Sequence, residues 1–355
     1  MRKRGWLGLA ATGVTATAAL AAGVVVERRV VKSRATGAAG ADRLGALRGD
    51  PVTVRTDDGV ALHAEVDEAP GVPIGEHDPT LVFVHGYALS LDCWHFQRQH
   101  FRGKHRLVFY DQRSHGRSER TDKAHATIDQ LGHDLCRVIE QLVPEGPVVL
   151  VGHSMGGMAI MAFAEHHPDV FGERVRGVAL ISTSAGGLKT HRVVSKLIPD
   201  AIGGQLGPRL IATLARAPEL VDRVRRRGSN LGFLLAEEFA FGGDVPESYV
   251  EFVDNMLAKT PFEVLALFFP NFDTLDKFTV LALFARIPTY IIGGTKDVFT
   301  PISHSRKMAS RLPDAKLVEC PGAGHMVLLE QKDAVNAAIE ELYAEALDDR
   351  AERVS

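Results

Sequence analysis

The sequence predicts a doubly wound, mostly parallel α/β sheet with an inserted all-helical segment, and three observations carry that prediction. Apolar strands alternate with helical stretches from Leu81 onward. One of them, Val148 to Val151, runs into a serine flanked by glycines, and between about residues 186 and 286 helical patterns follow one another without a strand. With 355 residues, 45% of them apolar, the chain is long enough to bury the core that such a sheet needs.

The chain opens on a different kind of segment. Arg2, Lys3 and Arg4 precede an uncharged run from Gly5 to Val26, and Glu27, Arg28, Arg29, Lys32 and Arg34 follow it. As a helix these 22 residues rise about 33 Å, enough to cross a hydrocarbon core of ~30 Å. Residues 1–34 are therefore expected to form a single N-terminal membrane helix. The small residues of Ala16-Thr17-Ala18 and Ala19-Leu20-Ala21 leave a cleaved signal and secretion as the alternative. Residues 35–50, rich in Ala and Gly, read as a linker. Without residues 1–34 the chain has 34 bases against 43 acids, a formal charge of −9. An acidic body argues against a nucleic-acid partner, which calls for a basic stripe. Cys93, Cys136 and Cys320 are odd in number and widely spaced, the pattern of small buried side chains rather than of a disulfide framework.

Val52 to Thr56 and Val60 to Val66 alternate about Asp57-Asp58-Gly59 and predict a β-hairpin. Leu81 to Val84, Leu107 to Tyr110, Val148 to Val151 and Val178 to Ile181 then alternate with helices, as parallel strands joined by right-handed crossovers do. In the insertion, Thr260-Pro261-Phe262-Glu263 is expected to open a helix capped by Thr260. That helix carries Phe262, Leu265, Phe268 and Phe269, a face expected to pack on the core and, collectively, to roof an apolar pocket. Thr289 to Gly294 and Ala315 to Cys320 are the late strands, and Gln331 to Leu347 a closing amphipathic helix. The expected organisation is a core of residues 51–185 and 287–350 with a helical cap at 186–286.

Gly152-His153-Ser154-Met155-Gly156 has the Gly-x-Ser-x-Gly pattern of a nucleophile elbow. A serine at the tip of a strand-to-helix turn sits in strained backbone, and glycines two residues away on either side remove the side chains that would collide there. The residues before Ser154 suit a buried parallel strand, and Met158 to Phe163 suit a buried helix. A serine hydroxyl is a weak nucleophile and needs a general base, itself oriented by a third group. In an open parallel sheet the loops after the carboxyl ends of the strands meet on one edge. Asp297 follows one late strand and His325, in Gly322-Ala323-Gly324-His325, follows the next. The expected catalytic residues are Ser154, His325 and Asp297, with Asp297 orienting the imidazole. Backbone N–H groups of Met155 and Tyr87 are the expected oxyanion donors, each worth on the order of 10²–10³ in rate. His166-His167 and the scattered His95, His100 and His105 lack the spacing and acidic partners of a zinc site, so no metal or cofactor is expected.

With these motifs assembled, the chain from about residue 52 onward resembles the α/β-hydrolase superfamily. The resemblance rests on His85-Gly86-Tyr87, Asp111-Gln112-Arg113-Ser114-His115-Gly116-Arg117-Ser118, the serine elbow, the Asp297 loop and Gly322-Ala323-Gly324-His325. It implies a cofactor-free hydrolase with a helical cap, working through an acyl-enzyme. Many relatives have Gly where this chain has Ser114, a departure in a loop outside the triad. Relatives that open epoxides or displace halides carry Asp as nucleophile, because an alkylated Asp is a hydrolysable ester whereas an alkylated Ser is an inert ether. Ser154 therefore points to acyl chemistry. The expectation is a carboxylic-ester hydrolase, lipase-like, whose small-molecule substrate carries a hydrophobic or lipid-like acyl group. The alternatives are a thioesterase, a perhydrolase of the haloperoxidase kind, or a receptor that uses the capped pocket for a ligand. Nothing in the sequence points to an oligomeric state.

Overall fold

The computed structural model describes residues 43–70, 78–189 and 240–354. Within them, β1 (Asp50–Arg55) and β2 (Ala61–Asp67) form the expected antiparallel hairpin. Then come β3 (Thr80–Val84), α1 (His95–Phe101), β4 (Leu107–Tyr110), α2 (Ile128–Leu142), β5 (Val148–His153), α3 (Met155–His166) and β6 (Val175–Ile181). The described part of the insertion holds α4 (Glu247–Lys259), α5 (Phe262–Phe268), α6 (Asn271–Thr274) and α7 (Leu281–Phe284). The chain returns to the sheet with β7 (Thr289–Gly294), α8 (Ile302–Ala309), β8 (Lys316–Cys320), α9 (Val327–Glu330) and α10 (Lys332–Val354).

Eight strands form one sheet in the order β1-β2-β4-β3-β5-β6-β7-β8. From β4 to β8 every pairing is parallel, and only the hairpin end is antiparallel. The unbroken apolar runs follow from burial on both faces. Val82, Val108, Leu150, Leu180 and Ile291 belong to one core, with α2 and α3. Their strand neighbours Phe83, Phe109, Val151, Ala179 and Ile292 belong to the other, with α1 and α10. The period of two thus splits each strand between two cores. On α10, Val335, Ile339, Leu342, Tyr343 and Ala346 make the buried stripe of the closing helix.

Buried ion pairs brace the hairpin end. Arg113, fully buried, reaches both oxygens of Asp134 at 2.6 Å and those of Asp58 at 2.8 and 3.1 Å. Arg98 holds Asp67 at 2.7 and 2.9 Å and Glu65 at 2.6 Å. Burial opposes ionisation of Asp67, but hydrogen bonds from Arg98 and Arg102 outweigh it and keep the carboxyl below its ordinary value.

Three details differ from the sequence reading. Residues 43–49, expected in a linker, lie against the body, where Gly49 N donates to Glu65 Oε2 (3.0 Å) and Gly45 N to His95 Nδ1 (3.2 Å). Helix α5 begins at Phe262 behind Pro261, and the Thr260 hydroxyl donates to the carbonyl of Ala88 (3.1 Å), tying the insertion to the loop after β3. His166 does meet acids in space, beside Asp129 and Glu165, but the ammonium of Lys277 sits on both carboxylates. Residues 1–34, the expected membrane helix, lie outside the described residues, as do 190–239 of the expected cap. Among the described residues no helix is long and apolar enough to cross a membrane.

Candidate active site

The carboxyl ends of β3, β5, β7 and β8 share one edge of the sheet, and the loops that leave them build the site. Ser154 stands between β5 and α3 at φ 53°, ψ −118°, a conformation that costs on the order of 1–3 kcal/mol for a residue with a side chain. The surroundings hold it there. Ser154 N donates to Ile181 O (2.9 Å), and its carbonyl accepts from Gly157 N (3.0 Å) and from the buried hydroxyl of Thr183 (2.6 Å). Gly156 is needed because a β-carbon there would overlap the carbonyl of Val84.

The structure brings Ser154, His325 and Asp297 together across 171 and 28 residues of sequence separation. Ser154 Oγ lies 3.0 Å from His325 Nε2, and His325 Nδ1 donates to Asp297 Oδ2 at 2.8 Å. Asp297 is the floor of this row. Its Oδ1 accepts from the backbone N–H groups of Phe299 (2.8 Å) and Thr300 (2.9 Å), and Oδ2 accepts from the Thr300 hydroxyl (2.8 Å). Burial disfavours the Asp297 anion, but the His325 imidazole and these donors more than offset it, so the carboxyl stays below its ordinary range. The side chain of His325 is 12% exposed and that of Asp297 fully buried, so only the histidine end of the pair meets the site.

Met155 and Tyr87, the expected oxyanion donors, come from the elbow and from the loop after β3. Met155 is the first residue of α3, where backbone N–H groups have no carbonyl in their own helix to bond. The loop after β3 presses on the elbow, so that a β-carbon on Gly86 would lie 3.1 Å from Ser154 Cβ. Tyr87 follows Gly86, and its hydroxyl donates to Leu265 O in α5 (2.6 Å), a second tie from this loop to the insertion. Its ring meets Phe272 edge-on at 5.2 Å. Phe268 lies over His115 at 5.4 Å, and Phe299 packs beside His325 at 5.1 Å.

The histidines of the other motifs serve as struts. His85 donates from Nδ1 to Gly86 O (2.7 Å) and accepts at Nε2 from Gln112 N (2.9 Å), which ties β3's loop to β4's. Burial pushes it down to about 3, so it is neutral. Asp111 accepts from Leu91 N and Arg117 N, both at 2.8 Å. Ser114 sits at φ 66°, in the left-handed region that favours glycine. The chain holds a serine there by giving it a bond, since Ser114 Oγ accepts from Thr121 N (2.9 Å).

These strands, loops and motifs match a known family model described as the alpha/beta hydrolase family, over residues 81–338. The chain belongs to the alpha/beta hydrolase family. The hydrolase expected from the motifs agrees with that membership. This alpha/beta hydrolase is 27% identical over 263 residues to the dihydrolipoyllysine-residue acetyltransferase component of an acetoin cleaving system from Pseudomonas putida, a match covering 74% of this chain and 62% of that protein. It thus spans less than two thirds of that relative. It is also 27% identical over 265 residues to 3-oxoadipate enol-lactonase 2 of Acinetobacter baylyi, covering 74% of this chain and 87% of that one. In three dimensions it resembles a thermophilic esterase from Thermogutta terrifontis, with a TM-score of 0.61 and 24% identity over 83% of this chain and 98% of the esterase.

Sequence reasoning did not find Thr183, Thr300 or His153. Thr300 had a signal, since a threonine three residues after an aspartate is spaced to bond its carboxylate. Thr183 and His153 had none. His153 lies within the elbow and donates from Nε2 to the backbone carbonyl of His325 (3.0 Å), a contact that only folding creates.

Proposed function

We propose that this alpha/beta hydrolase cleaves carboxylic esters through an acyl-enzyme formed on Ser154. The observation that carries the reading is the row Asp297–His325–Ser154, with hydrogen-bond distances of 2.8 and 3.0 Å. In this mechanism Ser154 Oγ attacks the ester carbonyl while its proton passes to His325 Nε2. The carbonyl electron pair moves onto oxygen, and the N–H groups of Met155 and Tyr87 stabilise that oxyanion. As the tetrahedral intermediate collapses, His325 returns the proton to the departing alcohol and Ser154 holds the acyl group. Water, deprotonated by His325, then attacks the acyl carbonyl and releases the acid and the free serine. Asp297 keeps Nδ1 protonated throughout, so that Nε2 is the acceptor when Ser154 attacks.

Phe299 beside the histidine, and Phe268 and Phe272 on the insertion, support an apolar acyl group, with residues 186–286 acting as the cap over it. The name of the enol-lactonase relative supports ester chemistry, since a lactone is a cyclic ester. The uncharged run Gly5 to Val26 supports a place at a membrane, held by a single N-terminal helix.

The test is steady-state hydrolysis of nitrophenyl esters of increasing acyl length by the full-length protein and by Ser154→Ala. Loss of turnover in the variant by about 10³-fold or more is expected, with an optimum at medium or long chains. Equal turnover by the two proteins on every ester would sink the reading. Membership in the membrane fraction after an alkaline carbonate wash checks the anchor, and release into the wash refutes it.

A further inference from the structure

The loop that carries His325 is gripped from a side the triad does not use. Segment 240–243, where the described insertion resumes, lies directly on it. Met326 N donates to Ala240 O at 2.9 Å. A β-carbon on Gly324 would come within 2.5 Å of Gly242 N, and one on Gly242 would overlap the carbonyl of Gly322. Two backbones therefore meet here with no side chain between them. Both N–H groups at that meeting point end on one carboxylate: Gly324 N donates to Glu330 Oε1 (2.7 Å) and Gly242 N to Glu330 Oε2 (2.9 Å). Gly324 is the residue before His325.

We propose that Glu330 is a positioning residue whose carboxylate bridges the backbone of the His325 loop to that of the inserted segment, so that the seating of the insertion sets the placement of His325 against Ser154. The inference rests on the triad reading above. It favours a carboxylate in particular, because the two N–H donors end on different oxygens of Glu330 and only a carboxylate offers an acceptor at both positions. An amide of the same shape turns one of them into a donor facing a donor. Glu330 also lies on the route by which the insertion can affect chemistry without touching the reacting atoms. A displacement of about 1 Å in a catalytic base is enough to lower a rate on the order of 10²-fold.

The experiment compares full-length wild type, Ser154→Ala, Glu330→Gln and Glu330→Asp in nitrophenyl ester hydrolysis, with amide hydrogen exchange read on the peptides containing Gly242 and Gly324. Glu330→Gln is expected to lower kcat by about 10- to 100-fold while KM stays within about threefold, because the bound substrate meets an unchanged pocket and a displaced base. Exchange should speed up in both peptides together. A residue that only stabilises the fold would lower the melting temperature and leave kcat of the folded protein alone. Should Glu330→Gln fail to fold, Glu330→Asp, which keeps the charge but loses reach, carries the same two readouts. If wild type is active and depends on Ser154 while the Glu330 variant keeps kcat within about threefold, this proposal alone is refuted. If wild type and Ser154→Ala turn over ester equally, the triad reading fails and takes this inference with it.

Discussion

Replacing Asp297 by Asn tests the row at its buried end, and the hydrogen bonds around the carboxylate let its size be worked out in advance. Oδ1 accepts two backbone N–H groups, from Phe299 and Thr300, and an amide oxygen placed there keeps both. The amide nitrogen must then occupy the place of Oδ2, where it faces the Thr300 hydroxyl and His325 Nδ1 at 2.8 Å. The hydroxyl can turn and accept. The imidazole can only accept at Nδ1 by moving its proton to Nε2, and Nε2–H then points at Ser154 Oγ, 3.0 Å away. Ser154 is left without a base. Holding the wrong tautomer costs on the order of 10⁴ in kcat, roughly 5.4 kcal/mol of barrier. Folding should survive, since the two backbone donors remain bonded. The assay is steady-state nitrophenolate release from a nitrophenyl butyrate, with circular dichroism and a melting curve to show that Asp297→Asn is folded. A folded variant within about tenfold of wild type would refute the tautomer argument and with it the role given to Asp297.

Two further predictions concern stability. Arg98→Met should cost on the order of 3–5 kcal/mol at pH 7, because it leaves the buried carboxylates of Asp67 and Glu65 short of a partner. Asp67 has its folded pKa below its ordinary 3.8, so the stability it contributes is complete above that value and is lost as pH falls through the lowered one. The gap between wild type and Arg98→Met should therefore narrow in urea unfolding as pH falls below about 4, and a gap unchanged at pH 3 counts against the pairing. At Ser114, Ala removes the acceptor for Thr121 N and keeps the left-handed strain, whereas Gly removes the acceptor and the strain together. Ser114→Gly should thus be more stable than Ser114→Ala by about 1 kcal/mol, and the reverse order of melting temperatures would show that φ 66° is not strained in this loop.

Much of the fold was legible because its signals are local. Strands buried on both faces must be apolar at every position, and the alternation of such runs with helices is visible without any knowledge of contacts. The three triad candidates were legible for a related reason. Each stands just past a strand, in a loop with a composition of its own, and parallel strands bring their carboxyl ends to one edge. What failed to show was every bond between loops. Thr260 sits in a sequence pattern that suits a helix cap, yet its hydroxyl goes to Ala88, because the loop after β3 is its neighbour only in the folded chain. Residues 43–49 have the composition of a tether, yet their backbone amides meet Glu65 and His95, which no composition foretells.

By itself the sequence determined the sheet, the site edge and the residue types placed there, since apolar period, glycine spacing and strand ends are properties of short segments. Only the tertiary structure decided the distances and the partners that hold them. Ser154 keeps its strained turn because Thr183, 29 residues on, bonds its carbonyl. Asp297 keeps its carboxyl below the ordinary range in a buried place because His325, 28 residues on, faces it, with the Thr300 amide and hydroxyl adding to the effect. His325 is held by His153 and, through Gly324, by Glu330, which also holds Gly242 from 88 residues away. Hydrogen bonds of that span depend on where whole strands and helices pack, so they come into being only when the chain has folded.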